Sequence, residues 1–351
     1  MIVLLTLVGT ALLTLGGLYI TCLTGSRLNN NILLGVSLPA HALTDKNLIE
    51  LVKKYRRAYS LQSIIFLVLI VPLLFMGEHY NLATAYFFLW FVMLLVLQIR
   101  TVSIYFTKLY SMKTENKWWV GEPHSISIDT AVSRQKDLFV LSKIWFLLPL
   151  GVLLVPIVDS LLQNRETVLW TFIGTGIIMW VIFFILYIAL GKMRTKTYCT
   201  DTETNIHLNH TFKNQWSKYL ILLSTLTSLF FVAILYAVEI ENVIVTTILA
   251  IGYGILAIIF TVLPYNKIRN ERNVLLKVES EEIDVDRSDD RYWIGGILYN
   301  NPNDRSFLVE KRIGIGMTMN IGSLAGKLVL VGIVLLIIGT VILSLWVALG
   351  T

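Results

Sequence analysis

Basic residues occupy only every second gap between the apolar runs of this chain, and no other feature narrows its fold so far. Eight runs carry few or no charges: 1–24, 58–76, 81–106, 140–161, 167–190, 219–238, 243–264 and 328–349. About 20 such residues in a helix cross roughly 30 Å of hydrocarbon, so each run reads as a membrane-spanning helix. The gaps 25–57, 107–139, 191–218 and 265–327, counted with Arg100 and Lys143 at their borders, hold 28 of the 29 lysines and arginines. The other gaps hold Arg165 alone. Cytoplasmic loops of membrane proteins carry the excess of basic residues. The alternation predicts an all-α polytopic membrane protein with about eight transmembrane helices and both termini outside. No basic residue precedes the first run and the first charge is Arg27, so this run reads as a retained anchor rather than a cleaved signal.

Only 15% of the residues are charged, against roughly 25% in a soluble domain. The net charge of +6 belongs to the predicted cytoplasmic face, where it suits contact with the lipid bilayer and its anionic headgroups rather than nucleic acid. Cys22 and Cys199 fall near that face and are expected to be reduced. The predicted outer loops are short. They hold Glu78, Asp159, Glu166, Glu239 and Glu241 against Arg165, a field that would attract a cationic peptide arriving from outside.

Catalytic patterns are missing. The sequence has no HExxH and no GxSxG, and "GIGMTMN" lacks the lysine of a phosphate loop. No carboxylate pair stands inside a run. His207 and His210 in "HLNH" are three apart, a helical spacing that would still need a third metal ligand. The expectation is a non-enzymatic protein with no cofactor, no metal and no catalytic residues. Pro149 and Pro156, seven apart, fall on roughly one face of the fourth run. Interrupted helices mark binding sites in transporters, so a transporter or transporter accessory subunit is the alternative reading. The acidic run 279–290 reads as a solvated linker.

In the first cytoplasmic gap, 31–41 reads as extended, Thr44 as a helix cap, and Leu48, Leu51, Val52 and Tyr55 as an apolar helical stripe. Lys53, Lys54, Arg56 and Arg57 cluster just before the second span. Trp118 and Trp119 suit a membrane interface. The last cytoplasmic gap is different. "YWIGGILY" (292–299) is strand-like, "NNPNDR" (300–305) is rich in turn residues, and "SFLVEKR" (306–312) is again strand-like. A hairpin over 292–312 follows. A lone hairpin is marginal, so the extended segment 32–39 is a candidate third strand of a small cytoplasmic α/β cap.

Asp290, Tyr292-Trp293, Gly296, Tyr299-Asn300, Asn301-Pro302, Asp304, Phe307, Val309, Lys311-Arg312, Gly314, Gly316, Thr318 and Asn320 form a D-x-YW-x-x-G-x-x-YxNPxD…F-x-V-x-KR-x-G-x-G-x-T-x-N pattern. That pattern resembles an uncharacterised domain of Gram-positive multi-spanning membrane proteins, domain of unknown function number fifty-eight-oh-eight. "GVSLP" near residue 35 is similar to the "GVRVP"-like string early in those proteins. Many of them also carry the membrane domain of the SdpI immunity-protein family, marked by an "IPTHFN"-like loop. Here 154–170 reads "LVPIVDSLLQNRETVLW" in that place. The resemblance implies an immunity or stress-response role: protection against a secreted toxic peptide, or sensing it and tethering a cytoplasmic protein. It brings no catalytic residues. Candidate partner-binding residues are Tyr292, Trp293, Asn300, Asn301, Pro302, Asp304, Lys311 and Arg312.

Overall fold

The computed structural model describes residues 2–29, 31–77, 79–119, 139–163, 168–199, 201–278 and 288–349. Among the described residues, eight long helices follow the apolar runs in order: α1 Ile2–Thr24, α2 Lys46–Val68, α3 Tyr80–Glu115, α4 Leu147–Gln163, α5 Val168–Lys192, α6 Thr202–Glu239, α7 Val243–Val278 and α8 Leu324–Leu349. Six described segments are long and apolar enough to cross a membrane: Leu4–Thr24, Lys46–Phe75, Tyr80–Glu115, Phe172–Lys192, Thr202–Glu239 and Val243–Leu276. α4 and the apolar part of α8, Leu324–Gly339, are shorter. α3, α6 and α7 run well past their apolar stretches. Apolarity marks what lipid tolerates, whereas the backbone ladder continues wherever packing supports it.

The chain divides into two compact units, one with its described residues mostly in 3–119 and 288–349, the other mostly in 139–278. In the first unit α3 packs against α2 and α8. Side chains of α2 close the end of α1. Tyr59 Oη donates to the Leu18 carbonyl (3.2 Å), Tyr55 Oη to the Cys22 carbonyl (2.9 Å) and Arg56 Nη2 to the Ser26 carbonyl (2.8 Å). The Cys22 carbonyl, in the last turn of α1, also accepts from the Gly25 amide (3.1 Å), so the donors of α2 add to the backbone bonds that end the helix. α2 itself is capped by Asp45, whose carboxylate accepts from the amides of Asn47 (2.8 Å) and Leu48 (3.0 Å). Thr44, the expected cap, lies one residue too early, inside a 3-10 turn. Leu48, Leu51 and Tyr55 form the buried stripe of α2.

The strand-rich module differs from the single hairpin expected over 292–312. Strand β3 (Trp293–Ile294) pairs with β4 (Leu298–Tyr299), and β5 (Leu308–Glu310) pairs with β6 (Met317–Met319), so two hairpins stand in succession. The first turn falls inside "YWIGGILY", where Gly295 and Gly296 take φ of 59° and 73°. That conformation is open to glycine at no steric cost. A Cβ on Gly295 would lie 2.8 Å from Ser103 Cβ, so glycine also lets this turn touch α3. Residues 300–305 connect the hairpins rather than close one. The segment 32–39 adds no strand to either. Its own β1 (Ile32–Leu33) and β2 (Val36–Ser37) pair with each other, turning through Leu34 (φ 47°) and Gly35 (φ 83°). It docks by side chains. Leu33, Leu34, Val36 and Leu38 share one core with Tyr55, Phe106, Trp293, Tyr299 and Ile313.

In the second unit α6 is central and contacts α4, α5 and α7. Pro149 lies in the first turn of α4, where its missing N–H has no intrahelical partner to lose. Pro156 is inside the helix. Both prolines are buried on the face that carries Leu153.

Candidate functional site

The hairpins, the loop before α2 and the end of α3 meet around one buried carboxylate. Asp290 is 3% exposed and sits in the short turn that leads into β3. Its Oδ2 accepts from Lys113 Nζ (2.7 Å) and Ser37 Oγ (3.0 Å), and its Oδ1 from the Ser37 amide (3.3 Å) and from the Arg312 guanidinium. Lys113 Nζ also donates to Ser37 Oγ (2.8 Å), and Arg312 Nη1 to the Gly35 carbonyl (2.7 Å). The two cations are covered by aromatic rings, Arg312 by Trp293 at 5.2 Å and Lys113 by Trp119 at 5.2 Å. Trp118 is buried in the same core.

Burial pushes the Asp290 carboxyl up. The positive charges of Arg312 and Lys113 and their hydrogen bonds outweigh it, and the pKa lies below the ordinary aspartate value. A buried ion is tolerated only when its partners surround it. Here those partners come from residues 35–37, α3 and the second hairpin, so forming the cluster fastens three distant pieces of chain together.

A second polar knot closes the module beside α8. Asn320 Oδ1 accepts from the amides of Asn301 (3.0 Å) and Gly322 (3.0 Å), and its Nδ2 donates to the carbonyls of Asn301 (2.8 Å) and Asp304 (2.8 Å). Asn320 is fully buried. Asn301 Nδ2 donates to Tyr299 Oη (3.0 Å), which donates to Asp304 Oδ2 (3.3 Å). Gly322 packs against this loop so closely that a Cβ would lie 2.7 Å from the Asn301 nitrogen.

These contacts sort the candidate partner-binding residues. Trp293, Asn301 and the Arg312 side chain are buried, and Tyr292 and Asp304 are half-buried. Asn300, Pro302 and Lys311 are exposed, as are Arg291 and Ile294 beside them. Inward-facing members of the pattern build the module, and only the exposed ones can meet another molecule. Lys113, Ser37 and the Gly35 carbonyl were not among the candidates, because nothing in a polar helix end or a short loop announces a partner 253 or 177 residues away.

Residues 302–327 match a family of unknown function (DUF5808). That stretch holds the second hairpin, Asn320 and the entry to α8, and it marks a DUF5808-type domain. No curated protein and no solved structure matches the chain.

The other candidates lie in the second unit or outside the described residues. Asp159, at the end of α4, accepts from Tyr236 Oη (3.2 Å) on α6, whose last residue is Glu239. Glu241 lies just past the cap residue Ile240. Glu78 and Glu166 lie outside the described residues. His207 Nε2 is 3.4 Å from Glu271 Oε2, and His210 meets the Phe139 ring edge-on at 5.9 Å. Among the described residues no cluster of three His, Cys, Asp or Glu could hold a metal.

Proposed function

We propose that the chain is an eight-span protein of a bacterial plasma membrane, non-enzymatic, of the immunity or stress-sensing type. The outer acidic end of the second unit, with Asp159, Glu239 and Glu241, attracts a cationic membrane-active peptide. The cytoplasmic module presents Asn300, Pro302 and Lys311 to a cytoplasmic protein. The sorting of basic residues supports eight spans with both termini outside. The observation that carries the reading is the buried Asp290 cluster. It makes the module a rigid extension of α3 rather than a tethered domain, so Asn300, Pro302 and Lys311 are held as one fixed surface for a partner. The resemblance to membrane proteins of Gram-positive bacteria supports the same class.

Cells lacking the chain are expected to be more sensitive to some members of a panel of cell-wall- and membrane-active peptides. The wild-type chain restores resistance, and a chain carrying Asn300→Ala, Pro302→Ala and Lys311→Glu reaches normal levels without restoring it. Unchanged sensitivity across the panel rejects the immunity role. Full rescue by the triple variant rejects the module as the output surface.

A further inference from the structure

A groove of about 290 Å³ runs between α1 and α2. Leu15 and Ser63 form its floor, and Leu12, Gly16, Ile64 and Leu67 line it on the side away from the basic loop. Gly16 opens it, since a Cβ there would have no neighbour within 4 Å. Tyr19 and Ser60 line the groove nearer the basic loop, their hydroxyls 3.2 Å apart.

The chemistry along the groove changes in one direction. On α2, Lys53, Arg57, Ser60, Ile64 and Leu67 follow each other at alternating spacings of four and three, which places them in one row along the helix. The row passes from two exposed cations through a hydroxyl to apolar side chains. Neighbouring Lys54 is taken up by Glu50 at 2.7 Å, and Arg56 by Ser26. Lys53 and Arg57 remain exposed about two turns and one turn beyond Ser60 along the same row. α1 runs antiparallel beside this row, and Arg27, just beyond its end, is also exposed.

Cations, then hydroxyls, then an open apolar groove match the order of phosphate, glycerol ester and acyl chain in a phospholipid. We infer that this groove is a binding site for one anionic phospholipid. Its phosphate is held by Arg57 with Lys53 and Arg27, its glycerol region lies against Tyr19 and Ser60, and one acyl chain passes over Gly16. The inference rests on the chain being a membrane protein and not on peptide sensing. A basic side chain at a membrane surface adds about 1 kcal/mol of attraction to an anionic headgroup. Three cations beyond one end of the groove therefore select anionic over zwitterionic lipid.

The test is native mass spectrometry of the full chain released from nanodiscs of phosphatidylglycerol and phosphatidylcholine. The wild-type chain is expected to retain one phosphatidylglycerol. Lys53→Gln with Arg57→Gln, both on the exposed side of α2, is expected to lower that occupancy roughly 30-fold, a factor of about five for each cation. Gly16→Leu, with the cations intact, is expected to fill the groove and remove the retained lipid. A phosphatidylglycerol with a photoreactive acyl chain is expected to label peptides containing Leu12 and Ile64 in the wild type. Equal retention of both lipids, occupancy unchanged in the charge variant, or labelling elsewhere would overturn the site. Displacement by glycerol phosphate without its acyl chains would show a phosphate site and would also overturn it. Sensitivity to peptides is read separately, so either idea can fail alone.

Discussion

The two units fasten their polar ends by opposite means. In the first, a buried carboxylate binds Lys113, Ser37 and Arg312, with partners as far as 253 residues apart. In the second, the segment before α6 is pinned by two asparagines of that helix. Asn205 Oδ1 accepts from the amides of Tyr198 (2.7 Å) and Cys199 (3.1 Å), and its Nδ2 donates to the Cys199 carbonyl (2.7 Å). Asn209 Oδ1 accepts from the Lys196 amide (2.9 Å), and Nδ2 donates to its carbonyl (2.7 Å). None of these bonds spans more than 13 residues. These amide pins order the loop on its own helix, and one longer contact joins them: Arg272 of α7 covers the Tyr198 ring at 4.9 Å and donates to its hydroxyl (3.2 Å). A long-range charge cluster welds pieces that would otherwise be independent, at the cost of desolvating three ions. The difference teaches where a change will stay local and where it will spread.

The largest effect is expected at the cluster. Asp290→Ala leaves Lys113 and Arg312 buried without their shared anion and is expected to cost about 3–5 kcal/mol, read by denaturant titration of the full chain in detergent. Adding Lys113→Met to Asp290→Asn should recover part of the loss, and strictly additive effects would break the comparison. Next comes Asn320→Ala. It strands two amides and two carbonyls and is expected to cost about 2–4 kcal/mol.

Acid should loosen the module of the first unit. The folded pKa of Asp290 is lower than its unfolded value. Its contribution is therefore complete above the unfolded pKa, about 3.9, and fades as pH falls through the folded one. The module is expected to loosen below about pH 4, monitored by Trp293 fluorescence, with Asp290→Asn removing that dependence.

In the second unit, Asn205→Ala is expected to cost about 1–3 kcal/mol and to expose only residues 193–201 to proteolysis. Smallest of all, Asn300→Ala, Pro302→Ala and Lys311→Ala should each stay within about 0.5 kcal/mol, because the exposed members of the pattern hold nothing up.

Helices were the legible part of this fold, because an apolar run in lipid has few alternatives to a helix. Their polar extensions were not. The end of α3 looks like a solvated face, yet Lys113 there is fully buried. Asp290 closes an acidic run that reads as a linker, and only its contacts show it to be an ion-cluster centre. The turn of the module was misplaced because 300–305 is the stretch richest in turn residues, while Gly295-Gly296 turned first. The candidate site was half legible. Its residue types were marked by a family-like pattern, but which side chains face inward depends on pairings hundreds of residues apart.

Hydrogen exchange of the full chain in nanodiscs, comparing wild type with Asp290→Asn, tests the weld most directly. The account predicts that residues 32–38 and 293–320 lose protection together, while 193–212 is unchanged. Loss confined to the residues beside Asp290, with 32–38 still protected, would contradict it.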